Sequence, residues 1–255
     1  MKFKLKFKLM KNSVITAAYL IIGDEILSGR TQDENLNFIA KGLVEIGVVL
    51  KEVRVVADVE NEIIEAVNQL RKKYNYLFTS GGIGPTHDDI TSAAIAKAFG
   101  DKLILHKEAE QILIHWYGEA RINDAVLKMA HIPQTAKLLD NPISSAPGFI
   151  MENVIVMAGV PKIMQAMFNI AKKSLISGDK ITSRDIKVSL VESEIAKELT
   201  DLQNKFDDIT IGSYPFQGGT TLVFRSINLQ KLDDCVNQMV NIINNKNKNS
   251  IIEIN

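Results

Sequence analysis

Ser80-Gly-Gly-Ile-Gly-Pro-Thr-His-Asp-Asp-Ile-Thr91 is the most informative segment for the fold of this chain. It follows an apolar segment, 76–79, that reads as a short strand, and it leads into a helix predicted over 88–99. In α/β folds with parallel strands, ligands bind outside the carboxyl ends of the strands, where turns of this kind lie. Glycines let backbone N–H groups approach an anion, and a helix N-terminus adds free N–H groups and a partial positive charge. The stretch therefore predicts a phosphate-binding turn in an α/β domain.

The sequence on both sides of this turn alternates between strand and helix patterns. The predicted strands and helices are, in chain order, 14–22, 33–46, 48–57, 60–72, 76–79 and 88–99. This alternation is typical of a mainly parallel sheet with helices on both faces, which is a three-layer α/β/α sandwich. Less regular pieces follow: helices over 107–130 and 161–174, and strands over 103–105, 136–139, 148–151 and 154–157.

A change of pattern after Ser177 predicts a second, smaller unit. Strand, helix, strand, strand and helix patterns follow one another over 185–191, 192–206, 208–214, 220–226 and 229–244. We therefore predict an α/β domain over 14–176, a small α+β unit over 177–246, and a frayed tail over 247–255.

Composition excludes several classes of protein. The 255 residues carry 30 Lys and Arg against 30 Asp and Glu, so no net charge draws the chain to nucleic acid or to an anionic membrane. No apolar run reaches the ~18 residues of a membrane span. The single cysteine, Cys235, excludes an internal disulfide and a cysteine-based zinc cluster, and it fits a reducing, cytoplasmic location.

The first residues have an unusual composition. The segment 1–11 holds five lysines and no acid, and an apolar run over 14–22 follows it. A signal peptide has this order of charge and apolar residues, but the expected small-residue cleavage site does not follow the run. We therefore expect 1–13 to be a disordered basic leader.

Two acidic pairs follow predicted strands. Asp88 and Asp89 can join a divalent cation to phosphate oxygens, and they can serve a helix start that Thr86 caps; the two interpretations are compatible. Asp24 and Glu25 follow the first strand, whose carboxyl end shares a sheet edge with the strand before Gly81. Either a cation brings the two pairs together, or Asp24 and Glu25 lie in a solvated turn.

Two further turns offer backbone groups to a ligand. Asn141-Pro-Ile-Ser-Ser-Ala-Pro-Gly-Phe149 has two prolines and a glycine that fix a loop, and Met157-Ala-Gly-Val-Pro161 connects a strand to a helix. Each turn alone is a weak signal. The four histidines show no spacing typical of a metal site or a catalytic base.

Taken together, the motifs resemble the competence/damage-inducible protein A (CinA) family, which has the molybdopterin-binding fold. The resemblance rests on Ile22-Gly-Asp-Glu-Ile-Leu-Ser-Gly29, the stretch from Ser80 to Thr91, Ala146-Pro-Gly-Phe149 and Gly159-Val-Pro161. It implies a metal-dependent pyrophosphatase that acts on a nucleotide such as ADP-ribose or FAD. Full-length members often add a nicotinamide-nucleotide amidase domain, for which this chain ends too early, so amidase activity is not expected.

The resemblance also implies the roles of individual residues. Asp88 and Asp89 become catalytic candidates, and the metal candidates are Asp24, Glu25 and Asp89. The implied cofactor is Mg²⁺, Mn²⁺ or Co²⁺, with K⁺ as a further candidate. The implied substrate- and phosphate-binding set is Gly23, Ser80, Gly81, Gly82, Gly84, Pro85, Thr91, Ser145, Pro147, Gly148, Gly159 and Pro161.

The chain departs from the family pattern at three places. Ala158 stands where many relatives have Pro, Ile163 stands where many have Glu, and Ser144-Ser145 replaces a Gly-Thr-like pair. The departures at Ala158 and Ile163 favour an alternative, a non-hydrolytic module that binds molybdopterin or a related pterin nucleotide. The expected partners are therefore a small nucleotide or pterin, not nucleic acid or membrane. We expect a homo-oligomer, with the small C-terminal unit mediating dimers or positioning the distal half of the substrate.

Overall fold

The computed structural model describes residues 14–247 and 249–255, and every structural statement below refers to these residues. They divide after Gly178 into two compact units, two residues beyond the boundary expected from the sequence. The predicted basic leader, 1–13, lies outside the described residues. None of the described helices is long and apolar enough to cross a bilayer.

A six-stranded, mainly parallel sheet forms the centre of the first unit. Its strands are β1 (Ile15–Ile22), β2 (Val48–Val56), β3 (Tyr76–Ser80), β6 (Lys137–Leu139), β7 (Gly148–Met151) and β8 (Val154–Met157). The strand order is β2-β1-β3-β8-β7-β6, and the pairs from β2 to β8 are parallel while β7 and β6 are antiparallel to their neighbours. A separate two-stranded sheet joins β4 (Leu103–Leu105) to β5 (His131–Pro133), a strand that the sequence analysis missed.

Helices cover both faces of the central sheet. They are α1 (Asp24–Leu27), α2 (Asn35–Glu45), α3 (Glu60–Lys73), α4 (Thr91–Phe99), α5 (Lys107–Tyr117), α6 (Asp124–Lys128) and α7 (Pro161–Lys172), with a 3₁₀ turn at Glu119–Arg121. One apolar core lies between the sheet and α3, α4 and α5, and the other lies between the sheet and α2 and α7. Side chains of β1 alternate between the two cores, which explains why this strand is apolar along its whole length. The predicted three-layer α/β/α fold is confirmed.

Two local predictions were wrong. The helix expected from Asp88 begins at Thr91. The helix expected over 107–130 is interrupted at Gly118, whose φ of 78° ends α5 in a conformation that a glycine adopts readily.

The second unit has β-α-β-β-α-β order. Its elements are β9 (Thr182–Val188), α8 (Glu192–Lys205), β10 (Thr210–Phe216), β11 (Gly219–Ser226), α9 (Leu229–Lys246) and β12 (Ile251–Ile254), and the sheet order is β10-β11-β9-β12. The expectation of a frayed tail over 247–255 was therefore wrong. β12 pairs with the otherwise open edge of β9, and Ile251 packs against the core that α8 and α9 cover.

Candidate functional site

A pocket of about 580 Å³ lies at the carboxyl edge of the central sheet. The turns that line it follow neighbouring strands: Gly23 after β1, Asp58 after β2, Gly81 after β3, and Gly159 after β8. Asn141, in the loop between β6 and β7, extends the lining to the far side. Because adjacent strands lie about 4.8 Å apart, the lining from β2 to β7 spans about 20 Å. This is the place where α/β sheets bind ligands.

The geometry of the turn after β3 allows only glycine at two of its positions. Gly81 has a φ of 103°, and a Cβ atom there would lie 2.0 Å from the carbonyl oxygen of Ile22. Gly82 has a φ of 68°, and its Cβ would lie 2.1 Å from the Thr91 hydroxyl. The predicted turn thus brings bare backbone to the pocket wall, as close approach to an anion requires.

Asp89 organises this turn from within. Its Oδ1 accepts a hydrogen bond from the Gly84 amide at 2.6 Å, and its Oδ2 accepts from the Thr86 amide at 2.7 Å and the Thr86 hydroxyl at 2.6 Å. The carboxylate therefore folds back on the preceding residues and keeps them out of the helix. The expectation that Thr86 caps a helix beginning at Asp88 was wrong for this reason.

Asp58 is the acidic residue that the sequence analysis missed. It lines the pocket together with Glu25 and Asp88, and its Oδ2 accepts a hydrogen bond from the Asp24 amide at 3.0 Å. Partial burial, together with the negative charges of Asp24, Glu25 and Asp88, raises the pKa of Asp58. Asp58 follows β2, so the rule that located Asp24 and Asp89 at strand ends would also have found it.

The predicted metal set of Asp24, Glu25 and Asp89 is not assembled. Among the described residues, no group of three or more His, Cys, Asp and Glu side chains is arranged to hold a metal ion. The physical reason for Asp89 is that both of its oxygens are engaged in the turn. Four acidic residues line the pocket: Glu25, Asp58, Asp88 and Asp89. Asp24, from the predicted metal set, is not among the lining residues.

The loop between β6 and β7 is held by a buried side chain. The amide of Asn141 donates to the Ser144 hydroxyl and the Ala146 carbonyl, each at 2.8 Å. Asn141, Ser144 and Ala146 line the pocket. The expected set of Ser145, Pro147 and Gly148 is not among the lining residues, because Gly148 packs against the Val156 carbonyl and Met167, and Pro147 is buried.

The remaining predicted residues divide between the wall and the layer beneath it. Gly23, Gly81, Gly82, Gly84, Pro85, Gly159 and Pro161 line the pocket, whereas Ser80 and Thr91 are buried behind it. The Ser80 hydroxyl is hydrogen-bonded to the Tyr19 hydroxyl at 2.5 Å, and burial raises the pKa of Tyr19. Ser80 and Thr91 therefore shape the glycine turn from below.

Apolar side chains close one side of the pocket. Tyr117 at the end of α5, Met129 after α6 and Ile83 in the glycine turn line it and also pack against the core under α3 and α4. Ala158 and Ile163, the two departures from the family pattern, line it as well. The site thus combines backbone amides, carboxylates and an apolar wall, which is the composition of a site for a small polar ligand with a ring.

The chain is similar in sequence to known protein families and to individual proteins. The family described as "Probable molybdopterin binding domain" matches residues 18–177, and the family described as "FAD synthase, middle domain" matches residues 180–250. A protein of Archaeoglobus fulgidus is 33% identical, over 88% of this chain and 96% of its own length. The protein of Caenorhabditis elegans named "Probable FAD synthase" is 33% identical over 78% of this chain, but the match spans only 44% of that protein.

A solved structure agrees with these matches. The crystal structure of the protein CinA, of unknown function, from Thermoplasma acidophilum has a TM-score of 0.58 and 34% identity to this chain, and it covers 62% of this chain and 97% of its own. The fold and the glycine-lined pocket thus define a ligand-binding domain of the three-layer α/β/α class. The chain belongs to the molybdopterin-binding domain family, and its resemblance to the CinA proteins is confirmed.

Proposed function

We propose that the chain hydrolyses the diphosphate linkage of a nucleotide such as ADP-ribose or FAD with the help of a divalent cation. The observation that carries the proposal is one pocket in which glycine turns from β3 and β8 face carboxylates from the ends of β1 and β2. A nucleotide diphosphate needs both: N–H groups for its phosphates and carboxylates for the cation that accompanies them.

The glycine turns supply the phosphate half of the site. Gly82 brings backbone to the wall, and Gly159 and Pro161 do so at the start of α7. The amides of Gly81 and Gly84 donate to the Met157 carbonyl and to Asp89, so these two glycines shape the turn rather than bind the phosphates. The first turn of α7 contains no acidic residue, and its first N–H groups have no partner within the helix. Its partial positive charge therefore favours an anion at this wall.

The carboxylates supply the cation half. Among the described residues, neither Glu25 nor Asp58 forms a salt bridge with a lysine or arginine. Mg²⁺ is commonly held by one or two carboxylates together with substrate phosphates, so a cage of three protein ligands is not required. One or two of Glu25, Asp58 and Asp88 would hold such a cation, which would neutralise charge that develops on the phosphates and would orient water.

The apolar wall suits the remainder of a dinucleotide. Tyr117, Met129 and Ile83 offer a face on which a planar ring packs, beside the phosphate turns. The roughly 20 Å span of the lining, from about 4.8 Å between strands, accommodates an extended dinucleotide. The family similarity of residues 180–250 to the middle domain of FAD synthase is consistent with a flavin nucleotide as one such substrate.

A second candidate is non-hydrolytic binding of molybdopterin or a related pterin nucleotide. It is favoured by the family match over residues 18–177 and by Ile163, an apolar residue at the pocket wall where many relatives have an acid. A pterin ring would occupy the same apolar wall, and its phosphate would occupy the same turns.

Turnover assays separate the two candidates. Purified protein is incubated with ADP-ribose, FAD, NAD or ADP-glucose, each with Mg²⁺, Mn²⁺ or Co²⁺ and with or without K⁺, and the products are resolved by chromatography. AMP that appears only with a divalent cation supports the hydrolase. Absence of product under every condition, together with tight binding of a pterin nucleotide in a titration, would replace it with the binding module.

A further inference from the structure

A buried amide connects the start of α2 to the pocket turn after β8. Asn35, the first residue of α2, is only 5% exposed, and its Nδ2 donates a hydrogen bond to the Gly159 carbonyl at 2.8 Å. The two residues are 124 positions apart in the chain, so this contact fixes one pocket turn relative to a helix of another segment.

The turn that Asn35 holds also touches the glycine turn after β3. A Cβ atom on Gly159 would lie 3.3 Å from the Cα of Gly81, so the two turns meet backbone to backbone. The Gly81 amide in turn donates to the Met157 carbonyl at 3.2 Å. The position of Gly159 therefore decides how the two phosphate-facing turns are spaced.

Among the described residues, neither burial nor a side-chain cap fixes the outer part of this turn. Gly159 is exposed, Val160 is 57% exposed, and no side chain caps the start of α7 at Val160. A turn that is not fixed by burial or by a cap depends on its hydrogen bonds for its position.

The carbonyl oxygen of the Asn35 side chain indicates that this residue is not explained by packing alone. Its Oδ1 is buried and has no hydrogen-bond partner among the described residues. Leaving a buried oxygen unpaired is unfavourable, and an apolar residue of similar size would avoid this cost. An amide is retained at this position because it donates to the Gly159 carbonyl and also interacts by hydrogen bonding with the buried Tyr19 hydroxyl.

We infer that Asn35 is a positioning residue for substrate binding: it holds the Gly159–Pro161 turn so that this turn and the N-terminus of α7 meet the substrate phosphates. The inference rests on the proposed function for the identity of the ligand. Because the turn contacts phosphates before and during the reaction alike, Asn35 supports binding and leaves the chemical step largely unaffected.

The test uses an isosteric pair of variants on one helix. Asn35→Asp removes the donor and retains the shape of the side chain, whereas Asn37→Asp makes the same change at an exposed position of α2. Hydrogen exchange of residues 158–164 reports on the turn, and calorimetry with ADP-ribose in the presence of a chelator reports on binding without turnover. Steady-state kinetics with ADP-ribose and Mn²⁺ separate KM from kcat. Asn35→Ala, which adds no charge, replaces Asn35→Asp if that variant does not fold.

For Asn35→Asp we expect hydrogen exchange to become at least tenfold faster, and only in residues 158–164. We expect ADP-ribose to bind at least fivefold more weakly and KM to rise at least fivefold. The value of kcat should stay within twofold of the wild type. Asn37→Asp should match the wild type in all of these. Unchanged exchange and affinity would overturn the inference, as would faster exchange throughout α2, α7 and the central strands, which indicates a general structural role. Locally faster exchange in a protein whose wild type neither binds nor cleaves ADP-ribose would overturn the proposed substrate while leaving the contact to Gly159 established.

Discussion

The carboxylate of Asp89 holds the backbone of Gly84, whose amide donates to Oδ1 at 2.6 Å. Together with two hydrogen bonds from Thr86 to Oδ2, this contact makes Asp89 the internal support of the glycine turn. The acid that the sequence motif marks most strongly therefore acts on the shape of the pocket. In the proposed reaction, the carboxylates of Glu25, Asp58 and Asp88 would act on the cation.

Asp89→Asn tests the supporting role. An amide offers one acceptor oxygen where the carboxylate offers two, so at least one of the three hydrogen bonds is lost. We expect the free energy of unfolding to fall by about 1–3 kcal/mol and turnover to fall with it. Urea unfolding and the AMP-release assay measure the two effects. Thr86→Val removes a single donor and should cost less; equal stability of Asp89→Asn and the wild type would refute the support.

Asp58→Asn should separate stability from activity. The variant keeps an oxygen that accepts from the Asp24 amide, and it removes a charge that Asp24, Glu25 and Asp88 repel. We expect the free energy of unfolding at pH 7 to stay level or to rise by up to about 1 kcal/mol. Metal-dependent turnover should fall by about 100-fold or more. A stable variant with full activity would remove Asp58 from the site.

A surface charge cluster gives a pH dependence that is independent of the pocket. Hydrogen bonds from Lys73, Arg54 and Tyr74 lower the pKa of Glu52 to about 2. Since the folded state favours the ionised form, the resulting stability is present above the ordinary pKa of 4.5 and is lost as pH falls toward 2. Glu52→Gln should therefore destabilise the protein by about 1 kcal/mol at pH 7 after solvent screening, with the difference vanishing near pH 2.

The control for this effect is Glu65→Gln, an exposed glutamate in the interior of α3. Its unfolding free energy should follow the wild type from pH 7 to pH 2. A constant difference between Glu52→Gln and the wild type over that range would contradict the assignment, since it would show that the ionised carboxylate contributes nothing specific.

Gly81→Ala tests the close approach in the glycine turn. The added Cβ would lie 2.0 Å from the Ile22 carbonyl in a residue with a φ of 103°, so backbone has to move. We expect a loss of more than about 3 kcal/mol and loss of ligand binding. Gly100→Ala is the matched control, because Gly100 has a φ of 65° and open space around it, and it should cost about 1–2 kcal/mol. Similar losses in both variants would contradict the contact with Ile22.

The fold could be predicted from the sequence because most of its strands and helices have clear hydrophobic patterns over many residues. β1 is apolar along its length, as a strand between two helical layers must be, and the glycine turn marks the end of β3. The tail was misread because β12 is only four residues long and depends on pairing with β9, a contact between distant segments. Local propensity cannot reveal such a contact.

The location of the site could also be predicted, but the roles of individual side chains could not, because these depend on contacts that the sequence pattern does not show. The strand-end rule found the glycine turns and Asp24, yet it could not show that Asp89 turns inward, because that depends on side-chain hydrogen bonds within the loop. Asp58 lies outside the motifs, and Asn35 follows the first strand-end motif without being given a role there. The structure shows their contacts with Asp24 and Gly159, which are 34 and 124 positions away in the sequence.

The central claim is cation-dependent cleavage of a nucleotide diphosphate in this pocket, and its most direct test is one titration. AMP release from ADP-ribose and from FAD is measured against Mn²⁺ concentration for the wild type and for Asp58→Asn, after confirming that both are folded. We expect saturable, cation-dependent release by the wild type and little or none by the variant. Release that needs no cation, or that is the same in both proteins, would contradict it.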